Sequence, residues 1–217
     1  MKNYLSKDCL ELLDKKYLFN KDKYLSGGGR ILLKYILNKL SIEDYVISID
    51  DNGKPFLDSH PDIYFNISHS GDYVLVGVSD YKSIGVDIEK IQDLDHVGIS
   101  KHFFHNKEHI KIANTDSIDI FFKIWVLKES YVKMKGTGLT DLKSFVVDID
   151  KNLILDVKKE CGIVKDNQVK NLIINKNLCL DSFNLNNEYF IGICSKGNTI
   201  EKPEEVLLSD ISNQLNH

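Results

Sequence analysis

The sequence is short of several things, and each shortage excludes something. Three prolines in 217 residues leave no room for a proline-rich linker. No apolar run approaches the roughly 20 residues that a membrane-spanning helix needs. Arg30 is the only arginine, lysine carries the rest of the fixed positive charge, and the net charge is −4. A nucleic-acid binder would show a basic excess or a basic stripe, so that class is set aside. The four cysteines, Cys9, Cys161, Cys179 and Cys194, form no C-x-x-C and have no histidine at a metal-ligand spacing. The chain opens Met1-Lys2-Asn3-Tyr4-Leu5-Ser6-Lys7, without an apolar signal core. Free thiols in a reducing cytoplasm are therefore expected.

What is present is enough for a packed fold. With 42% hydrophobic and 28% charged residues, the chain can bury a core and keep a solvated surface. The length suits one large domain or two small ones that share an interface. Ser6 is placed to cap a first helix with Leu10, Leu13 and Tyr17 on its apolar side. A second helical pattern runs from about Lys21 to Leu40, with Leu25, Leu32, Leu33, Ile36, Leu37 and Leu40 on one stripe. Gly27-Gly28-Gly29 interrupts it, which predicts close helix packing or a loop between two shorter helices. Next come short strand patterns at 46–49, 63–67, 73–79 and 84–89, separated by turn residues such as Asp50-Asp51-Asn52-Gly53. They read as an antiparallel meander. Helices follow at 97–113, with a break near His105-Asn106, and from Ser117 to about Lys135, where Gly136 and Gly138 close the helix. Strand patterns return at 145–149, 153–157, around 169–180 and at 189–194. The octet Asp72–Ser79 resembles Glu188–Ser195, and both halves run helix then strands. This suggests two similar α+β units.

The chemistry centres on Ile84-Gly85-Val86-Asp87-Ile88-Glu89. In a strand, residues two apart share a face, so Asp87 and Glu89 project together while Val86 and Ile88 project into a core. Two carboxylates this close repel each other unless a cation lies between them, and oxygen ligands suit Mg²⁺. An isolated Asp-x-Glu is more often a half-exposed strand with two solvated acids. The later helix changes that balance. Trp125, Glu129 and Lys133 are spaced i, i+4, i+8 along one face. As an ordinary helix this is one Glu–Lys pair worth a few tenths of a kcal/mol. As a site, it sets Glu129 beside Asp87 and Glu89 as a third metal ligand, with Lys133 one turn further on.

Gly53-Lys54-Pro55, Phe65-Asn66-Ile67-Ser68-His69-Ser70, Gly85-Val86-Asp87-Ile88-Glu89 and Trp125-Val126-Leu127-Lys128-Glu129-Ser130-Tyr131-Val132-Lys133, trailed by Gly136-Thr137-Gly138-Leu139, stand in a telling order. That order resembles the Sfp-type 4′-phosphopantetheinyl transferase family over roughly Lys21 to Leu139. The resemblance implies an α+β fold of two pseudo-symmetric lobes, each a small antiparallel sheet packed on helices, with the active site between them. On this chain the lobes would be 1–95, lacking the family's usual first strand, and 96–217. It implies transfer of the phosphopantetheine arm from coenzyme A to a serine of an apo acyl or peptidyl carrier protein, with 3′,5′-ADP released. By the same resemblance Asp87, Glu89 and Glu129 hold Mg²⁺, and Glu129 and Lys133 act in catalysis. Lys54, Ser68, His69 and Lys128 would serve the coenzyme A nucleotide and phosphates. Two lobes in one chain make a monomer sufficient. Two other readings stay open: a different Mg²⁺-dependent phosphoryl-transfer enzyme acting on a nucleotide, and a carrier-binding homologue that has lost activity. A serine hydrolase on Ser68 and His69 fits poorly, because neighbouring residues do not easily reach triad geometry and there is no G-x-S-x-G.

Overall fold

A computed structural model describes residues 4–157, 172–174, 178–197 and 199–215. Helix α1 (Lys7–Lys16) starts where Ser6 Oγ accepts from the Cys9 amide at 3.2 Å. Helix α2 (Asn20–Lys39) runs unbroken through Gly27-Gly28-Gly29, so the loop alternative does not occur. The glycines serve packing. A β-carbon on Gly29 would lie 2.7 Å from Ile67 Cγ2 and 3.3 Å from Val74 Cγ1, inside the hairpin on which the helix rests. That hairpin is β3 (Tyr64–Ser70) and β4 (Tyr73–Ser79). Before it, β1 (Ile47–Ile49) and β2 (Pro55–Leu57) form a small antiparallel pair. Their turn is fixed by Asp50 Oδ1, which accepts from the Asn52 and Lys54 amides, and by Gly53 at φ +83°. Leu33, Leu37, Leu57 and Phe65 make the core between helix and strands.

The expected meander is instead two separate pairs, β1–β2 and β3–β4. Strand β5 (Ile84–Lys90) does not continue it but pairs antiparallel with β10 (Tyr189–Ser195), in the register Asp87↔Gly192 and Glu89↔Phe190. β9 (Cys179–Leu185) completes this sheet, so the ladder joins residues on both sides of position 95. The two similar octets supply the second strands of two seven-residue hairpins, β3–β4 and β9–β10. Local turn chemistry makes each hairpin. The third strand is chosen by long-range packing, which no local signal reports.

Between these strands lie α3 (His96–Phe103), α4 (Asn106–Thr115) and α5 (Ile118–Lys135). The break at His105 is an N-cap: Glu108 accepts the His105 amide while His105 Nδ1 accepts the Lys107 amide. Ser117 caps α5, and Gly136 ends it in the left-handed region at φ +70°. A further sheet holds β6 (Phe145–Asp148), β7 (Leu153–Val157) and β8 (Leu172–Ile174). A helix with no counterpart in the sequence reading, α6 (Leu208–Leu215), packs Ile211 on Ile31 and Tyr35 of α2. Among the described residues, small antiparallel sheets and six helices make this an α+β fold. Cys9, Cys179 and Cys194 are free, and Cys161 lies outside the described residues. No helix among the described residues is long and apolar enough to cross a membrane.

Candidate active site

The site exists because α5 comes very close to the β5–β10 sheet. Two glycines allow it. A β-carbon on Gly85 would sit 2.0 Å from the Ser130 carbonyl oxygen, and one on Gly192 would sit 2.3 Å from that of Val126. Only a residue without a side chain tolerates helix backbone at that range. Gly85, Asp87 and Glu89 share the strand face turned to the helix, by the alternation of a strand. Val86 and Ile88 face the other way, into a core with Tyr189, Ile191 and Ile193. With the helix this near, the Trp125–Glu129–Lys133 face meets the acidic face of β5. Ile67, Ser68, His69, Asp87, Glu89, Trp125, Glu129 and Lys133 line a cleft of about 310 Å³.

Inside it, Lys133 Nζ lies 2.6 Å from Asp87 Oδ1 and donates to Ser68 Oγ at 2.9 Å. Ser68 in turn donates to the same Asp87 oxygen at 2.8 Å. Ser70 Oγ donates to Glu89 Oε2 at 2.9 Å. The acids carry more negative charge than this one lysine balances. Burial pushes the Asp87 carboxyl above the usual carboxylate range, against the pull of Lys133. Glu89 is raised by burial and by Asp87. Glu129 is raised to about 7, by burial first and by Asp87 next.

As placed, no three His, Cys, Asp or Glu side chains among the described residues converge on a point that a metal ion would fill. The Lys133 ammonium holds the Asp87 oxygen instead. The donor set nevertheless suits a hard cation. Among the described residues, Asp87 Oδ2 and Glu129 Oε1 are buried oxygens without a hydrogen-bond partner, hard donors left open to a ligand.

Six residues expected from the sequence thus meet in one cleft: Ser68, His69, Asp87, Glu89, Glu129 and Lys133. Two do not. Lys128 is 0% exposed. Its ammonium ion-pairs with Glu108 at 2.9 Å and donates to the Leu142 and Phe145 carbonyls. Its three donors are spent inside the core, so the expectation that it serves the coenzyme A phosphates is corrected. The reason is helical phase: Lys128 and Glu129 are neighbours in sequence and point about 100° apart. Lys54 stands outside the cleft lining, where it donates to the Met134 carbonyl at the C-terminal end of α5 and to Ser83 Oγ. There its charge complements the helix dipole. Burial lowers its ammonium pKa. The sequence reading gave Ser70 no role, although its period-two spacing from Ser68 was a usable signal.

Comparison with known proteins adds to this geometry. Residues 83–194 match the model of the 4′-phosphopantetheinyl transferase superfamily, and residues 10–80 match that of the 4′-phosphopantetheinyl transferase N-terminal region. The chain is 38% identical over 140 residues to the 4′-phosphopantetheinyl transferase gsp of Aneurinibacillus migulanus, covering 61% of this chain and 57% of that one. It is 32% identical over 145 residues to the 4′-phosphopantetheinyl transferase Sfp of Bacillus subtilis, covering 64% of each. It is 33% identical over 141 residues to the L-aminoadipate-semialdehyde dehydrogenase-phosphopantetheinyl transferase of Xenopus laevis, covering 57% of this chain and 47% of that one. These matches span less than two thirds of each relative's own length. The superfamily match covers 112 residues, just over half the chain, and includes every acidic residue of the cleft: this chain belongs to the 4′-phosphopantetheinyl transferase superfamily.

Proposed function

We propose that this protein moves the phosphopantetheine arm of coenzyme A onto a serine of an apo acyl or peptidyl carrier protein. The observation that carries the reading is the meeting of Asp87, Glu89, Glu129 and Lys133 in one cleft of a chain from this superfamily. The cleft is read as the meeting place of two lobes, with coenzyme A and the carrier entering from outside. The carrier serine oxygen attacks the phosphorus that bears the pantetheine arm. The new P–O bond forms to serine, the pyrophosphate P–O bond breaks, and 3′,5′-ADP leaves with its electron pair.

Asp87, Glu89 and Glu129 are the residues that would hold Mg²⁺. Bound there, Mg²⁺ supplies charge neutralisation on the pyrophosphate oxygens. The chain's own groups do the rest. Lys133 leaves Asp87 and Ser68 and sets its ammonium against the leaving phosphate, where negative charge grows. Glu129, a carboxylate that lines the cleft, is placed to accept the serine proton. Ser68 and His69 sit on the cleft wall as contacts for a phosphate of the nucleotide. Trp125 and Ile67 give the cleft an apolar side that limits water.

The test is a panel of apo carrier proteins incubated with coenzyme A, Mg²⁺ and the protein, read by intact mass. The expected result is the gain of one phosphopantetheine on at least one carrier, and its loss in excess chelator. A folded protein that modifies no carrier would overturn the reading, and so would undiminished transfer without divalent metal.

A further inference from the structure

β5 is hydrogen-bonded along both edges, by different means. On one edge it pairs with β10 through backbone groups. On the other edge, backbone ladder bonds are replaced by side chains of β3. Asn66 Oδ1 accepts from the Val86 amide at 2.9 Å, Ser68 Oγ from Ile88 at 3.4 Å and Ser70 Oγ from Lys90 at 3.0 Å. The offset is constant along the run, so β3 lies alongside β5 in the same direction. Both partners follow the strand period: every second β3 side chain meets every second β5 amide.

The residue types divide the work. The Asn66 side-chain oxygen accepts, while a serine hydroxyl accepts one hydrogen bond and donates another. Each serine spends its own proton on the carboxylate one position before the amide it accepts: Ser68 on Asp87 at 2.8 Å and Ser70 on Glu89 at 2.9 Å. Lys133 also engages Asp87 and Ser68, so that acid has two holders. Ser70 is the side chain that hydrogen-bonds Glu89, whose own torsions leave its carboxylate otherwise free to swing.

We propose that Ser70 is a positioning residue that fixes the Glu89 carboxylate for a divalent cation, with the Lys90 amide fixing Ser70 itself. This rests on the reading that Asp87, Glu89 and Glu129 hold the metal. Loss of a group that orients a ligand typically lowers metal affinity 10- to 100-fold.

The measurement is Mn²⁺ binding to the full chain, followed by the electron paramagnetic resonance signal of free Mn²⁺, with thermal unfolding alongside. Ser70→Ala is expected to weaken binding about 10-fold or more. Ser70→Thr keeps the hydroxyl and restores it. Ser70→Cys keeps the volume but donates weakly, and falls between them. Asn66→Ala removes one backbone bond of the same run without touching a carboxylate, so it lowers the unfolding temperature and leaves Mn²⁺ affinity near wild type. Ser70→Ala binding Mn²⁺ as tightly as wild type would overturn the proposal. So would a threonine that fails to restore affinity, or an Asn66→Ala loss as large as that of Ser70→Ala. A wild-type chain that binds no Mn²⁺ overturns both this and the metal reading of the cleft. A wild-type chain that binds Mn²⁺ but modifies no carrier overturns the transferase reading and leaves Ser70 standing.

Discussion

Lys128 and Lys133 sit on the same helix, five residues apart, and each pairs with a buried acid. Lys128 meets Glu108 with both side chains closed to solvent. Lys133 meets Asp87, but its side chain keeps 29% of its exposure. The Lys128 ammonium has three fixed partners and packs over the rings of Phe104 and Phe145. Glu108 is equally committed, because it also accepts the His105 and Val147 amides. Nothing there is free to move. Lys133 shares one oxygen of an acid whose second oxygen has no hydrogen-bond partner among the described residues, beside two more carboxylates. The first pair is architecture, holding α4, α5 and β6 together. The second pair lies at a cleft that two further carboxylates line. A buried ion pair does not by itself mark function; a buried excess of one charge sign is the better sign.

The comparison breaks most visibly on the Lys128 side. Lys128→Met leaves Glu108 buried without its cation, and is expected to cost roughly 3–5 kcal/mol in denaturant unfolding. Glu108→Gln should cost a similar amount, and the double variant should recover part of the loss, since no unpaired charge remains. If Lys128→Met keeps full stability but loses affinity for coenzyme A, the pair is not architecture.

The cleft side is tested by pH on metal-free protein. Glu129 has a folded pKa of about 7 against an ordinary value of 4.5. The folded state therefore holds this proton more tightly than the unfolded chain. Its stabilising contribution is present below pH 4.5 and is lost as pH rises through about 7. The fall is on the order of 3 kcal/mol for this group. Asp87 and Glu89 are raised in the same direction and add to the slope. Glu129→Gln should flatten the stability–pH curve between those values. An unchanged slope in that variant would remove Glu129 as the source.

Lys133→Ala should lower the transfer rate on the order of 10²-fold at saturating coenzyme A, as loss of a preorganised charge does. Lys135→Ala is the smallest effect. Lys135 is exposed, sits over the Tyr131 ring and lies about 200° round the helix from Lys133. About half a kcal/mol or less in stability, with an unchanged rate, is expected. Equal transfer rates for these two variants would take Lys133 out of the mechanism.

Much of this site was legible beforehand because it rests on short-range periodicity. The strand period put Asp87 and Glu89 on one face, and the helix period lined up Trp125, Glu129 and Lys133. Both alignments hold in the cleft. Ser6, Ser117 and Gly136 act as the caps their residue types suggest. The break at His105 was visible for the same local reason. Misreadings fall where the answer lies far away in sequence. Gly27-Gly28-Gly29 left packing and a loop both open, and only Ile67 and Val74, far away in sequence, decide for packing. The meander reading failed because β4 and β10 carry similar strand patterns and only packing selects β10 as the ladder partner of β5.

The sequence by itself determined the elements and which side chains share a face, because both follow from backbone geometry over a few residues. Only the tertiary structure decided which acid each lysine meets, that Lys128 is walled into the core while Lys133 opens on the cleft, and that Ser70 reaches Glu89. Those outcomes depend on contacts between residues tens of positions apart. They are set by which surfaces exclude water together, a property of the whole packing that no local pattern records.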